Sequence, residues 1–213
     1  MRFITFMFVV TSTIAPLTVL SAQPGSSSLV RSSFGFEISL PSGWVQLGPR
    51  QASERVPRAE ELGLEKVNRK DLELYYGRVK SGKVEFYLDA HLSNDTFTNN
   101  ISLQLQNDAN DYSRYTPEEI RTFCALLPAD LSKTWGEPVS VKGCEVVSSN
   151  GSAVLAFSYI VPTQKKFILQ YVIPFNEKQT MLLVGGGRLN KDVIARMQVA
   201  IRAIAAGITG RPK

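Results

Sequence analysis

The sequence predicts an α+β fold: a largely antiparallel sheet of about six to eight strands with two main helices packed on it. Three observations carry this expectation. Short segments that alternate apolar and polar residues recur along the chain, the period of a half-buried strand. The connections between them are shorter than the dozen or more residues a parallel crossover needs. Two longer segments, opening at Thr116 and Asn190, change to apolar steps of three and four, the period of a helix with one buried face.

The chain opens with Met1-Arg2, an uncharged run over 3–20, and Ser21-Ala22. These are the parts of a secretory signal peptide, so 1–22 is expected to be cleaved, near Ser21 or Ala22. The alternative, an uncleaved anchor, conflicts with Thr5, Thr11, Ser12, Thr13, Pro16 and Thr18 inside the run, because a bilayer span asks for ~20 predominantly apolar residues. The Ser-rich stretch within 23–33 reads as a flexible lead-in. A single domain is then expected over 34–208, followed by a tail at 209–213.

Within the domain, 34–40 alternates and ends at the turn Pro41-Ser42-Gly43 before Trp44. Residues 48–70 show no clean period apart from a short helix near 58–64. Segments 72–79 and 84–92 flank Ser81-Gly82 and read as a hairpin, since glycine permits the positive φ of such turns. In the second of these strands Val84, Phe86, Leu88, Ala90 and Leu92 share one face, and Glu85, Tyr87, Asp89 and His91 the other. Ile101, Leu103 and Leu105 mark a further strand.

Thr116-Pro117-Glu118-Glu119 is a capping-box start with proline in the first turn. Ile120, Phe123, Leu127, Leu131 and Trp135 follow on one side of the helix, and Pro128 is expected to kink or divide it. Four strands come next, at 144–149, 153–161, 167–175 and 180–184. Asn150-Gly151 is a strong hairpin signal between the first two, and Pro174 marks an edge or a bulge. Asn190 caps a last helix bearing Val193, Ile194, Met197, Ala200, Ile201 and Ile204, with Gly207 expected to stop it.

Composition narrows the function classes. Of 213 residues 44% are hydrophobic, and the mean hydropathy is −0.04, which excludes a disordered chain. One histidine and two cysteines exclude the zinc sites built from several such ligands. The formal charge is +5, and loss of Arg2 with the leader leaves a mild excess. Basic residues between Arg50 and Lys83 alternate with acidic ones, a solvated mixed surface, so neither a nucleic-acid partner nor stable membrane insertion after cleavage is expected.

The run Phe36-Glu37-Ile38-Ser39-Leu40-Pro41-Ser42-Gly43-Trp44, the later Asn99-Asn100-Ile101-Ser102-Leu103-Gln104, the middle helix, the meander and the closing helix together resemble the PsbP-like superfamily. The resemblance spans about 34–206. It implies an antiparallel sheet flanked by helices and a role as a binding, adaptor or assembly module without catalysis, and it transfers no functional residue. Residues 47–69 depart from the shorter connection the resemblance implies, and are a place where a function particular to this chain can reside.

Few residues offer chemistry. Cys124 and Cys144 form a disulfide if the chain is exported; closing a loop of about 20 residues would stabilise the fold by roughly 3 kcal/mol. Two buried thiols are the alternative. His91 is the one near-neutral proton carrier, and with Asp89 and Glu85 on its strand face it offers a metal or acid–base site; a plain polar surface is the alternative. No cofactor is expected. Gly185-Gly186-Gly187-Arg188 lacks the spacing of either phosphate-binding fingerprint and reads as a bulge or a hinge for the last helix. Asn94, Asn100 and Asn150 begin short glycosylation patterns that chance explains.

These observations lead to an exported, soluble, non-enzymatic module acting through a protein partner. Two other classes compete: a small hydrolase or metal-dependent enzyme using Asp89 and His91, and a secreted protein that neutralises a toxin or blocks an envelope target.

Overall fold

A computed structural model describes residues 27–49, 64–67, 69–94 and 97–210. The expected leader 1–22 and most of the expected helix at 58–64 lie outside the described residues. The fold is α+β. Strands β1 (Ser28–Arg31) and β2 (Glu37–Leu40) form a hairpin. Strands β3 (Trp44–Leu47), β4 (Val84–Asp89), β5 (Asn100–Gln106), β6 (Ser140–Ser149), β7 (Ser152–Val161), β8 (Lys166–Asn176) and β9 (Gln179–Arg188) form one sheet in the order β3-β4-β5-β9-β8-β7-β6. Every strand pair is antiparallel. The helices are α1 (Arg69–Val79), α2 (Pro117–Trp135) and α3 (Lys191–Thr209).

The sheet is covered on both faces. On the first, α3 and the β1–β2 hairpin bury Ile38, Tyr87, Ile101, Leu103, Ile173, Met181 and Leu183 with Met197, Ile201 and Ile204. On the second, α1 packs on the β3–β4 end through Leu72, Tyr75, Tyr76 and Val79, and α2 packs on the β6–β7 end over Leu155, Phe157 and Tyr159. Alternation along each strand assigns successive side chains to the two faces.

Five expectations are corrected. Residues 72–79 are helix, not strand: Leu72, Tyr75, Tyr76 and Val79 are buried, at spacings of three and four that place them on one helical face. Ser81-Gly82 consequently ends a helix, with the Gly82 N–H donating to the Val79 carbonyl at 2.9 Å, and three helices are present rather than two. The lead-in contains β1, whose Val30 pairs with Ile38. Pro128 does not divide α2, which runs through it as one element; the hydrogen bond that proline cannot donate is the one to the Cys124 carbonyl. Helix α3 passes Gly207 to Thr209, because a side chain at 207 would meet the Glu37 carbonyl of β2 at 2.4 Å: this glycine admits a neighbouring strand and does not stop the helix.

The fifth concerns Gly185 and Gly187, which lie within the ladder of β9 and form neither a bulge nor a hinge. Cβ atoms there would lie 2.6 Å from Met197 Sδ and 2.5 Å from Met197 Cε. The glycines let α3 lie close on the sheet.

Candidate functional site

The face expected to carry Glu85, Tyr87, Asp89 and His91 is not a polar surface. Glu85 and Tyr87 are 0% exposed and Asp89 is 1% exposed, because the N-terminal hairpin and α3 cover this part of the sheet. Each buried carboxylate is saturated, as burial of a charge requires. Glu85 accepts from the Ser32 hydroxyl at 2.8 Å, the Ser33 N–H and the Tyr87 hydroxyl at 2.7 Å. It fastens the hairpin turn to the sheet. Burial, with the Glu85 charge beside it, pushes the Tyr87 phenol well above its ordinary pKa, so Tyr87 stays a donor.

Asp89 accepts both ends of the Arg196 fork, Nε at 2.9 Å and Nη2 at 2.9 Å, and the His91 and Leu92 N–H groups at 3.0 and 3.3 Å. Arg196 Nη2 also donates to the Ser42 carbonyl at 3.0 Å. A bidentate guanidinium–carboxylate pair is strong and directional, and here it ties α3 to the β2–β3 turn. The His91 imidazole lies over Gly43: a Cβ there would sit 2.5 Å from Nδ1. Asp89 and His91 are therefore neighbours joined through the His91 backbone, and the imidazole is outside the carboxylate's hydrogen bonds. Among the described residues no group of three or more His, Cys, Asp or Glu side chains converges as metal ligands.

Cys124 and Cys144 are bonded, with Cα atoms 5.7 Å apart, which joins α2 to β6. The capping box at the helix start is formed: Thr116 Oγ1 accepts from the Glu119 N–H at 3.3 Å, and Glu119 accepts from the Thr116 N–H at 2.7 Å. The bonds that the Glu119 carboxylate accepts, from the Thr116 N–H first and from the Thr116 hydroxyl at 2.9 Å second, lower its pKa. At the far end the Tyr159 hydroxyl accepts from Trp135 Nε1 at 3.2 Å and from Gln170 at 3.1 Å. Burial raises the Tyr159 pKa against those two donors.

Helix α2 is thus held at both ends and by a covalent bond, yet only Leu127 of its residues is buried. Phe123 is 42% exposed and Leu126 59% exposed, and they stand three positions apart on the same flank. The Phe123 ring lies edge-on to Phe157 at 6.5 Å, so its inner edge rests on the sheet while the remainder faces outward. The arrangement presents an apolar strip on a rigid support. The sequence showed Phe123 as a helix-face residue; that its face is only half covered follows from α2 lying over the edge strand β6, which no local pattern encodes.

No family model matches the chain. No curated protein matches it. Among solved structures, the chain is similar to the solution structure of cyanobacterial PsbP (CyanoP) from Synechocystis sp. PCC 6803, with a TM-score of 0.45 and 13% identity over 91% of this chain and 98% of that one. It is also similar to the Saccharomyces cerevisiae Ran-binding protein Mog1p, with a TM-score of 0.43 and 12% identity over 84% of this chain and 87% of that one.

Proposed function

We propose that the protein is an exported binding or assembly module that acts through a protein partner, and that α2 is its docking element. The observation that carries the reading is the apolar strip of Phe123 and Leu126 on a helix fastened to the sheet by the Cys124–Cys144 bond. Exposed apolar side chains grouped on a rigid support are the usual mark of a protein contact. A disulfide fits an oxidising compartment, in keeping with the leader-like 1–22, and no helix among the described residues is long and apolar enough to cross a membrane.

The hydrolase reading depends on Asp89 and His91, and the saturation of Asp89 by Arg196 and the turn N–H groups speaks against its use as a base. Affinity capture from the exported fraction of the native host tests the proposal, with wild-type protein compared with Phe123→Asp/Leu126→Asp. A partner retained by the wild type and lost by the variant supports it. Equal recovery with both, or hydrolase activity abolished by His91→Ala, overturns it.

A further inference from the structure

We infer that Asn150 is a site of self-modification, a latch on the end of α3 that opens once: when the last turn of the helix frays, the Gly151 backbone nitrogen closes on the Asn150 carboxamide, ammonia is lost, and the carboxylate left after hydrolysis cannot latch again. Of nine asparagines only Asn150 precedes a glycine. The pair forms the two-residue turn between β6 and β7, with φ of 45° at Asn150 and 77° at Gly151, the left-handed values that such a hairpin turn demands. Both residues are exposed. Gly151 carries no side chain to shield its nitrogen, so the nucleophile and the water that follows it have open access.

The amide is tethered to a distant element. Asn150 Nδ2 donates to the Ala206 carbonyl at 3.0 Å and to the Thr209 hydroxyl oxygen at 3.2 Å, and Ser149 Oγ lies 3.0 Å from the same Thr209 oxygen. The Ala206 carbonyl is one of the last four of α3, which depend on groups beyond the helix end. The turn thus caps the helix from 56 positions away in sequence. While both bonds hold, the carboxamide is not free to swing onto the Gly151 nitrogen. A helix end opens locally at far lower cost than the whole fold, so fraying of 206–209 is the event that frees it.

Once the amide is free, the reaction needs only water. The Gly151 nitrogen gives its proton to solvent and attacks the Asn150 side-chain carbonyl carbon. A new C–N bond forms, the bond to Nδ2 breaks, and the amide nitrogen takes a proton from solvent and leaves as ammonia. Water then opens the five-membered imide at either carbonyl, which yields an aspartate in the ordinary chain or one linked through its side chain. Nothing is oxidised or reduced. The product has lost both donors, because a carboxylate only accepts. It would face the Ala206 carbonyl and a Thr209 hydroxyl whose proton is committed to the Ala205 carbonyl at 2.9 Å. Its charge also lies at the negative end of the helix dipole. Each of these opposes return of the latch.

The test incubates the folded, disulfide-bonded protein at mildly alkaline pH and follows each asparagine by peptide mapping, with mass spectrometry and chromatographic separation of aspartyl and isoaspartyl forms. Conversion is expected at Asn150 ahead of every other asparagine. Thr209→Ala, which removes one of the two acceptors, should speed it about threefold to tenfold, the scale of one hydrogen bond. In Asn150→Asp, amide hydrogen exchange should be about tenfold faster over 206–210 and unchanged in β8 and β9. Conversion at Asn150 no faster than at the other asparagines, equal rates in the wild type and Thr209→Ala, or unchanged exchange at the helix end in Asn150→Asp overturns the inference.

Discussion

Arg196 on the last helix grips both carboxylate oxygens of Asp89 on β4, at 2.9 Å each, across 107 residues of sequence. With the Ser42 carbonyl as a third acceptor, this pair clamps helix, turn and strand at one point. Removing Arg196 leaves the Asp89 carboxylate, 1% exposed, uncompensated in a buried place, and such losses cost about 3–5 kcal/mol. Arg196→Ala should lower the unfolding free energy by roughly 3 kcal/mol and Asp89→Ala by less, because the guanidinium it leaves is 29% exposed; both are read as a drop in the urea midpoint. His91→Ala, on an exposed side chain, should stay within about 0.5 kcal/mol. A midpoint unmoved by Arg196→Ala would remove the clamp from this account.

The Cys124–Cys144 bond closes a loop with a sequence separation of 20. Its reduction should cost about 3 kcal/mol by loop closure, and the loss should be local first. Because α2 buries only Leu127, amide exchange should rise along Pro117–Trp135 before it rises in β8 and β9. Uniform exchange throughout the sheet on reduction would show that the bond supports the whole fold instead.

Gly187→Ala should destabilise the protein by about 1–3 kcal/mol, the range for an overpacked core, since its Cβ would come within 2.5 Å of Met197 Cε and 2.7 Å of Val193 Cγ1. Trimming the neighbour should recover part of the loss, so Gly187→Ala with Met197→Ala should be less harmful than the sum of the two. Strict additivity in a double-mutant cycle would mean that the helix does not rest on these glycines.

Alkaline unfolding is expected from Tyr75. Its phenol is pushed from 10.0 to about 12 by burial first and by the Asp71 charge second, with Arg78 opposing. A raised phenol pKa favours the neutral, folded form. The stability it contributes is therefore complete below about pH 10 and is lost as pH rises from about 10 to about 12. Tyr112 is raised to about 12 also, again chiefly by burial, and adds to the slope in the same window. The loss attributable to Tyr75 is on the order of 2 kcal/mol. Chemical denaturation at a series of pH values should show the fall, and Tyr75→Phe should make it shallower; a curve flat to pH 12 would contradict the assignment.

Much of the fold was legible because it is local. The Asn150-Gly151 hairpin, the Thr116 capping box and the Asn190 cap each depend on neighbours in sequence, and each is formed as expected. Residues 72–79 fit a strand as well as a helix in sequence, because Leu72, Tyr75, Tyr76 and Val79 mark a helix face only when their three- and four-residue spacing is preferred to the apparent pairing with 84–92. Glu85 and Asp89 were misread for a different reason. Alternation says that two faces differ, and it does not say that a hairpin from 28–40 and a helix from 191–209 will cover the more polar one. The glycines of β9 carried the same ambiguity: only the position of Met197 shows why they are small. At the candidate docking surface the sequence supplied Phe123 and the cysteines, while the exposure of Leu126 depends on how far α2 overhangs the sheet edge.

The most direct measurement of the central claim is photo-crosslinking in the native exported fraction, with a photoreactive residue placed at Leu126 and, separately, at the exposed Glu177 of the β8–β9 turn. The account predicts a discrete protein adduct from position 126, suppressed by Phe123→Asp, and no such adduct from position 177. Absence of any adduct at 126 in folded, disulfide-bonded protein, or an adduct of equal yield from 177, would contradict it.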